Sequence, residues 1–200
     1  MSELVPETAR EQFVAEAARL FSTKGYAGTS VADIQLACGL TGGSGALYKH
    51  FRSKRALLEE VISTHVATMR ESSGRFAEQL PDDPAGALRF VVQTVWAGME
   101  RDRHALRVML RDLDDFPDIL AEIWGEVRTN VYDEFARWLA AEKKRGAVRV
   151  ADPTATAAVL LASLTYYPIL DALIGHTPGD IEVERFTDAW VEHAVATLTG

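Results

Sequence analysis

Apolar residues recur at helical spacing along almost the whole chain, and nowhere do they alternate strictly with polar ones as a half-buried strand requires. In residues 7–24, Phe13, Val14, Ala17, Leu20 and Phe21 share one side of a helical wheel; Arg10, Glu11, Glu16 and Arg19 take the other. Pro6 lies near the first turn of this helix and Gly25 ends it. Thr29 and Ser30 open a second, two-turn helix. Ser30 and Asp33 have the spacing at which each side chain caps the other's backbone N–H, and Val31, Ile34 and Ala37 supply the inner face. Gly39 closes it. A third short helix has Leu47, Tyr48 and Phe51 on its apolar side, and Ser53 caps a fourth in which Leu57, Leu58, Val61 and Ile62 face inward. The fourth is expected to reach about Glu78, ahead of Pro81.

Asp83-Pro84 reads as the cap and first position of a fifth helix bearing Leu88, Val91, Val92, Val95, Trp96 and Met99. A break near Asp102 precedes a shorter segment with Leu106, Met109, Leu110 and Leu113. Pro117 opens a long helix carrying Ile119, Leu120, Ile123, Trp124, Val127, Val131, Phe135 and Leu139. Gly146 stops it behind Lys143, Lys144 and Arg145, cations suited to the negative end of a helix dipole. Asp152-Pro153 starts another helix to about Gly175, and a last one covers residues 181–198. The predicted fold class is all-α, about nine helices, with a small N-terminal domain over residues 1–60 and a helical body over 61–200.

An apolar share of 48% and a charged share of 25% are those of a soluble globular protein. The single Cys38 excludes an internal disulfide, has no partner thiol for zinc and reads as a small buried residue. No apolar leader follows a basic start, and residues 153–168, the longest nearly uncharged stretch, are too few to span a bilayer and read as a buried helix. The expectation is a cytoplasmic protein without membrane, metal or cofactor. No Ser/His/Asp set stands in a recognisable context, and the Asp114-Asp115 pair is helix-start chemistry before Pro117. The Gly42-Gly43-Ser44-Gly45 run lacks both a preceding strand and a following Gly-Lys-Ser/Thr, which argues against a nucleotide-binding loop.

Charge is uneven. The net charge is -8, yet residues 1–60 hold seven Lys/Arg against seven Asp/Glu, and residues 61–200 hold fourteen against twenty-two. Within 41–55 stand Lys49, Arg52, Lys54 and Arg55, with His50 and no carboxylate. A second helix that braces a short third one, with cations at its edge, is the order of a helix-turn-helix laid against a polyanion.

The stretches F-V-A-E-A-A-R-L-F-S-T-K-G-Y-A-G-T-S-V-A-D-I, A-C-G-L-T and A-L-Y-K-H-F-R-S-K-R-A-L-L resemble the tetracycline-repressor (TetR) family of transcriptional regulators over residues 13–62. The resemblance implies that Thr29, Thr41, Tyr48 and Lys54 contact DNA phosphates. It also implies that the residues around Gly43, Ser44, Gly45 and Ala46, with Lys49 and His50, face bases. Read from the residues alone, Tyr48 and Phe51 also fit a core, and His50 also fits a local carbonyl. The run 42–45 is about two residues longer than the family pattern. The sequence leaves open whether the extra residues lengthen the turn or form a cap that orders on DNA.

The body carries no motif. The resemblance implies a ligand cavity among the fifth to eighth helices and a dimer interface on the last two. Candidates for the cavity are Phe90, Trp96, Met99, Met109, Trp124, Tyr132, Tyr166 and Tyr167, with Arg103, His104 and Asp171 as polar anchors. The aromatic content points to an apolar or aromatic effector. Small residues on the eighth helix, Ala158 and Ala162 among them, and Phe186, Trp190 and Ala194 on the ninth suit a four-helix dimer seam, with a monomer core as the alternative. The expected function is a homodimeric, ligand-released repressor of a pseudo-palindromic double-stranded DNA operator. A helical sensor or carrier that does not bind DNA is the rival reading.

Overall fold

The computed structural model describes residues 8–73, 79–112 and 115–200. Pro6, the end of the fourth predicted helix near Glu78, Leu113 and Asp114 lie outside the described residues. Every regular element among the described residues is helical. They are α1 (Ala9–Lys24), α2 (Val31–Ala37), a 3-10 turn (Leu47–Lys49), α3 (Lys54–Ser73), α4 (Pro84–Arg101), α5 (Arg103–Asp112), α6 (Pro117–Val127), a π turn (Arg128–Tyr132), α7 (Asp133–Arg145), α8 (Pro153–Ile174), a 3-10 turn (Pro178–Asp180) and α9 (Val183–Thr199).

Local chemistry sets the helix ends. Thr8 and Glu11 cap α1 reciprocally, and Ser30 and Asp33 do the same for α2, as their spacing predicts. Asp83 and Asp152 cap α4 and α8 ahead of a proline in each, and the αL glycines Gly146 and Gly175 end α7 and α8. The long helix predicted from Pro117 is interrupted by the π turn at 128–132, where Asn130 returns its side-chain amide to the Glu126 carbonyl at 3.0 Å.

The chain divides into two compact units, Met1–Ala67 with His104–Ala121, and Thr68–Arg103 with Glu122–Gly200. The α5 helix, although it follows residue 60 in the chain, falls in the first unit with the N-terminal helices. In the first unit Phe13, Phe21, Ile34, Leu47, Leu57 and Leu58 are fully buried. The α5 helix is fastened there by polar links. The Ser22 hydroxyl lies 2.7 Å from His104 Nδ1, and Asp112 accepts the Tyr26 N–H at 3.2 Å. Its buried residues are Ala105 and Val108, whereas Leu110 from the predicted apolar stripe is exposed.

The second unit packs α4, α7, α8 and α9 around Leu88, Val91, Phe135, Leu139, Leu160, Leu164, Trp190 and Leu198. The α8 helix runs past Pro168 to Ile174 and is half covered within the single chain. Leu160, Leu161, Leu164 and Tyr167 face the core, while Val159 and Tyr166 remain 68% and 57% exposed. It is long and apolar enough to cross a membrane by length and composition, and its inner face is spent on this core.

Candidate nucleic-acid interface

The predicted recognition helix is not an α-helix. Gly39 (φ 74°) closes α2, with the Leu40 N–H donating to the Gln35 carbonyl at 2.9 Å. A tight turn follows in which the Ser44 N–H reaches the Thr41 carbonyl at 3.2 Å and Gly43 (φ 80°) takes the position that demands a left-handed residue. Gly45 (φ 69°) then leads into a single 3-10 turn, Leu47–Lys49, anchored by Leu47, which is completely buried. The extra glycines therefore lengthen the turn at the expense of the helix. Gln35 of α2, buried to 1% exposure, holds this turn. Its Oε1 accepts the Gly43 N–H at 3.1 Å, and its Nε2 donates to Ser44 Oγ at 3.1 Å.

The cationic cluster divides into two halves. Lys49 and Arg52 are exposed and have no protein partner among the described residues, and neither has the hydroxyl of Tyr48, itself 58% exposed, or that of exposed Thr41. Thr41 and Tyr48, expected at phosphates, and Lys49, expected at bases, are thus exposed together with Arg52. Lys54 and Arg55 are engaged. Lys54 Nζ donates to the Tyr26 and Thr29 carbonyls at 2.8 and 2.9 Å and lies 4.1 Å over the Tyr26 ring, and burial holds its pKa below the usual lysine value. Arg55 pairs with Glu59 at 3.0 Å and with Asp118, and it covers the Phe116 ring.

Thr29, expected at a phosphate, and His50, expected at a base, both make contacts within the protein. Thr29 is 1% exposed, and its hydroxyl donates to the Gly25 and Leu20 carbonyls at 2.8 and 3.3 Å, so it closes the turn after α1 instead of facing DNA. The exposed His50 sets its ring 5.6 Å from that of Phe13, and its carbonyl accepts from Arg10, whose guanidinium covers the buried Phe51. Ser44, Gly43, Gly45 and Ala46 lie together on the turn, with Ser44 Oγ committed to Gln35 and, at 3.4 Å, to the Ala46 N–H. Gln35 and Arg52 were absent from the sequence-derived set. Arg52 was visible as part of the cation run, whereas no sequence signal marks Gln35.

Comparison with known proteins fits this geometry. The bacterial regulatory proteins of the tetR family match residues 13–61, and the C-terminal domain of AefR-like transcriptional repressors matches residues 87–199. The chain belongs to the TetR family of transcriptional regulators. It is a DNA-binding regulator and not an enzyme. The HTH-type transcriptional regulator EthR of Mycolicibacterium smegmatis is 25% identical over 188 residues, 92% of this chain and 85% of that protein. The HTH-type transcriptional regulator TtgR of Pseudomonas putida is 31% identical over 130 residues, 62% of this chain and 59% of that protein. The crystal structure of the TetR-family regulator PfmR of Thermus thermophilus shares the fold, with a TM-score of 0.73 at 24% identity over 92% of this chain and 97% of that one.

In this TetR-family regulator the ligand candidates do not form one set. Trp96 of α4 and Tyr167 of α8 meet Phe186 of α9, with ring centroids 5.3 Å (Trp96–Tyr167), 5.8 Å (Trp96–Phe186) and 4.4 Å (Tyr167–Phe186) apart. The Tyr167 hydroxyl donates to the Ile181 carbonyl, while the buried Trp96 indole N–H has no acceptor among the described residues. Phe90 and Met99 are half-buried on α4. Trp124 is 61% exposed beside half-buried Tyr132, and Tyr166 points outward, so neither Trp124 nor Tyr166 lines a buried site. Met109 belongs to the first unit. Arg103 and Asp171 satisfy each other at 2.6 Å, and His104 meets Ser22. A groove of about 510 Å³ between α4 and α9 is lined by Ala85, Arg89, Val191, Glu192 and Val195, none of them among the ligand candidates.

The dimer candidates also separate. Ala158 and Ala162 are exposed on the outer face of α8. Trp190 and Ala194 are buried within the chain, where Trp190 Nε1 donates to Ser163 Oγ at 2.9 Å, and Phe186 is half-buried in the aromatic trio. The apolar stripe of α9 is thus spent on the chain's own core.

Proposed function

We propose that this regulator acts as a homodimeric repressor of a pseudo-palindromic operator, released when a small apolar or aromatic ligand binds its helical body. The observation that carries the reading is the outer face of α8. Ala155, Ala158, Val159, Ala162, Tyr166 and Leu173 recur there at helical spacing and all are exposed in the single chain. An unpartnered apolar stripe of that length suits the same stripe of a second copy about a two-fold axis. The two-fold would set a pair of glycine turns against half-sites about one DNA turn apart, with Tyr48, Lys49 and Arg52 at the phosphates. A regulator acting on DNA in this way works in the cytoplasm.

The aromatic trio of Trp96, Tyr167 and Phe186, with an indole N–H that has no acceptor among the described residues, supports a flat apolar ligand carrying a hydrogen-bond acceptor. Release requires only that the ligand favour the DNA-free conformation. Sedimentation and gel shift on a selected operator test the reading. Wild type is expected to run as a dimer and shift the operator as one. Val159→Glu, which puts a charge in the stripe, is expected to yield a folded monomer with weakened operator binding. A Val159→Glu protein that remains dimeric would refute the α8 seam.

A further inference from the structure

Gln35 is buried to 1% exposure, and both ends of its amide are spent on the reading turn: Gly43 N–H into Oε1 and Nε2–H into Ser44 Oγ, each at 3.1 Å. Ser44 Oγ in turn accepts the Ala46 N–H at 3.4 Å. Little else constrains this stretch. A side chain at Gly43 or Gly45 would meet nothing within 4 Å, and only Gly42 packs back on α2, against Leu36 and Ala32. Burying an amide is costly unless its bonds are made, and here those bonds go to the residues that occupy the place of a recognition helix's first turn. We propose that Gln35 is a positioning residue for sequence recognition: it holds residues 41–46 as a preformed loop whose shape, not a helix face, sets which base pairs are preferred in the major groove. The inference rests on the DNA-binding reading above.

Four full-length proteins test it, wild type, Gln35→Met, Gln35→Glu and Ser44→Ala, each carried through selection from randomised duplexes and a thermal melt. Wild type is expected to enrich a defined half-site. Gln35→Met fills the space without either bond and is expected to lose about tenfold in discrimination at the base pairs the loop meets, with little change in affinity for random DNA. Gln35→Glu keeps the acceptor for Gly43, and the Ser44 hydroxyl turns to donate, so its base preference is expected to survive. Ser44→Ala breaks one of the two links and is expected to fall between them. Should Gln35→Met fail to fold, exposed Ser44→Ala decides the matter alone. The inference is overturned if Gln35→Met and Ser44→Ala bind every duplex more weakly by one common factor, or leave the ranking of sequences unchanged. A wild type that enriches no duplex defeats the DNA-binding reading itself.

Discussion

Replacing Lys54 with methionine keeps the stem and removes an ammonium that makes two charge-assisted hydrogen bonds, to the Tyr26 and Thr29 carbonyls, and stands over the Tyr26 ring. Hydrogen bonds to charged groups contribute about 1.5–3 kcal/mol each and the ring contact about 0.5–1 kcal/mol. The net is smaller, because burial already disfavours the charge, as the lowered pKa records, and the freed carbonyls regain water. A loss of about 2 kcal/mol is expected, confined to the link between α3 and the turn after α1. Native-state hydrogen exchange reads it as roughly a 30-fold loss of protection around residues 25–34. DNA binding supplies the second readout. A phosphate contact contributes about 0.9 to the slope of log affinity against log salt. Lys49→Ala and Arg52→Ala, whose cations are free, are expected to lower the slope by that amount, while Lys54→Met leaves it unchanged. A Lys54→Met slope reduced by about 0.9 with protection intact would refute the bracing role.

Trp190→Ala removes a side chain that is 6% exposed together with its bond to Ser163, so it is expected to cost about 3–5 kcal/mol in thermal melts, even in the Val159→Glu background; weakened dimerisation without loss of melting temperature would mean that Trp190 faces a partner. Burial, and to a lesser extent Glu16, raises the Cys38 thiol to about 11, so at pH 8 its thiolate fraction and its maleimide alkylation rate are expected to be about two orders of magnitude below those of a free thiol. The rate climbs as pH rises toward that value, and labelling as fast as in the unfolded chain would refute it.

What the sequence disclosed was local chemistry. The Ser30/Asp33 box, the Asp-Pro starts at 83–84 and 152–153 and the glycine stops at 146 and 175 act within one helical turn, so pattern alone reveals them. Partners distant in the chain were invisible. Nothing near Arg55 announces Asp118, and nothing near Lys54 announces that two carbonyls on the turn after α1 will hold it. The dimer candidates failed on α9 for a related reason. An amphipathic helix has one apolar stripe and spends it first on its own core, as Trp190 and Ala194 do, whereas α8 is apolar on both sides and has a stripe left over.

The missing recognition helix follows from composition once the whole turn is weighed. A helix through residues 41–50 would place Gly42, Gly43 and Gly45 in its first turns at about 1 kcal/mol each, on top of a costly nucleus in so short a segment. Gly43 and Gly45 instead adopt positive φ, where glycine carries no penalty, and only the turn around Leu47 keeps helical geometry. Such a loop would ordinarily be loose and would lose affinity to ordering on DNA. Here it is tied at both ends, by Gln35 at Gly43 and Ser44 and by the buried Leu47 three residues on. The glycines let the backbone approach closely, and the two anchors let it arrive already shaped.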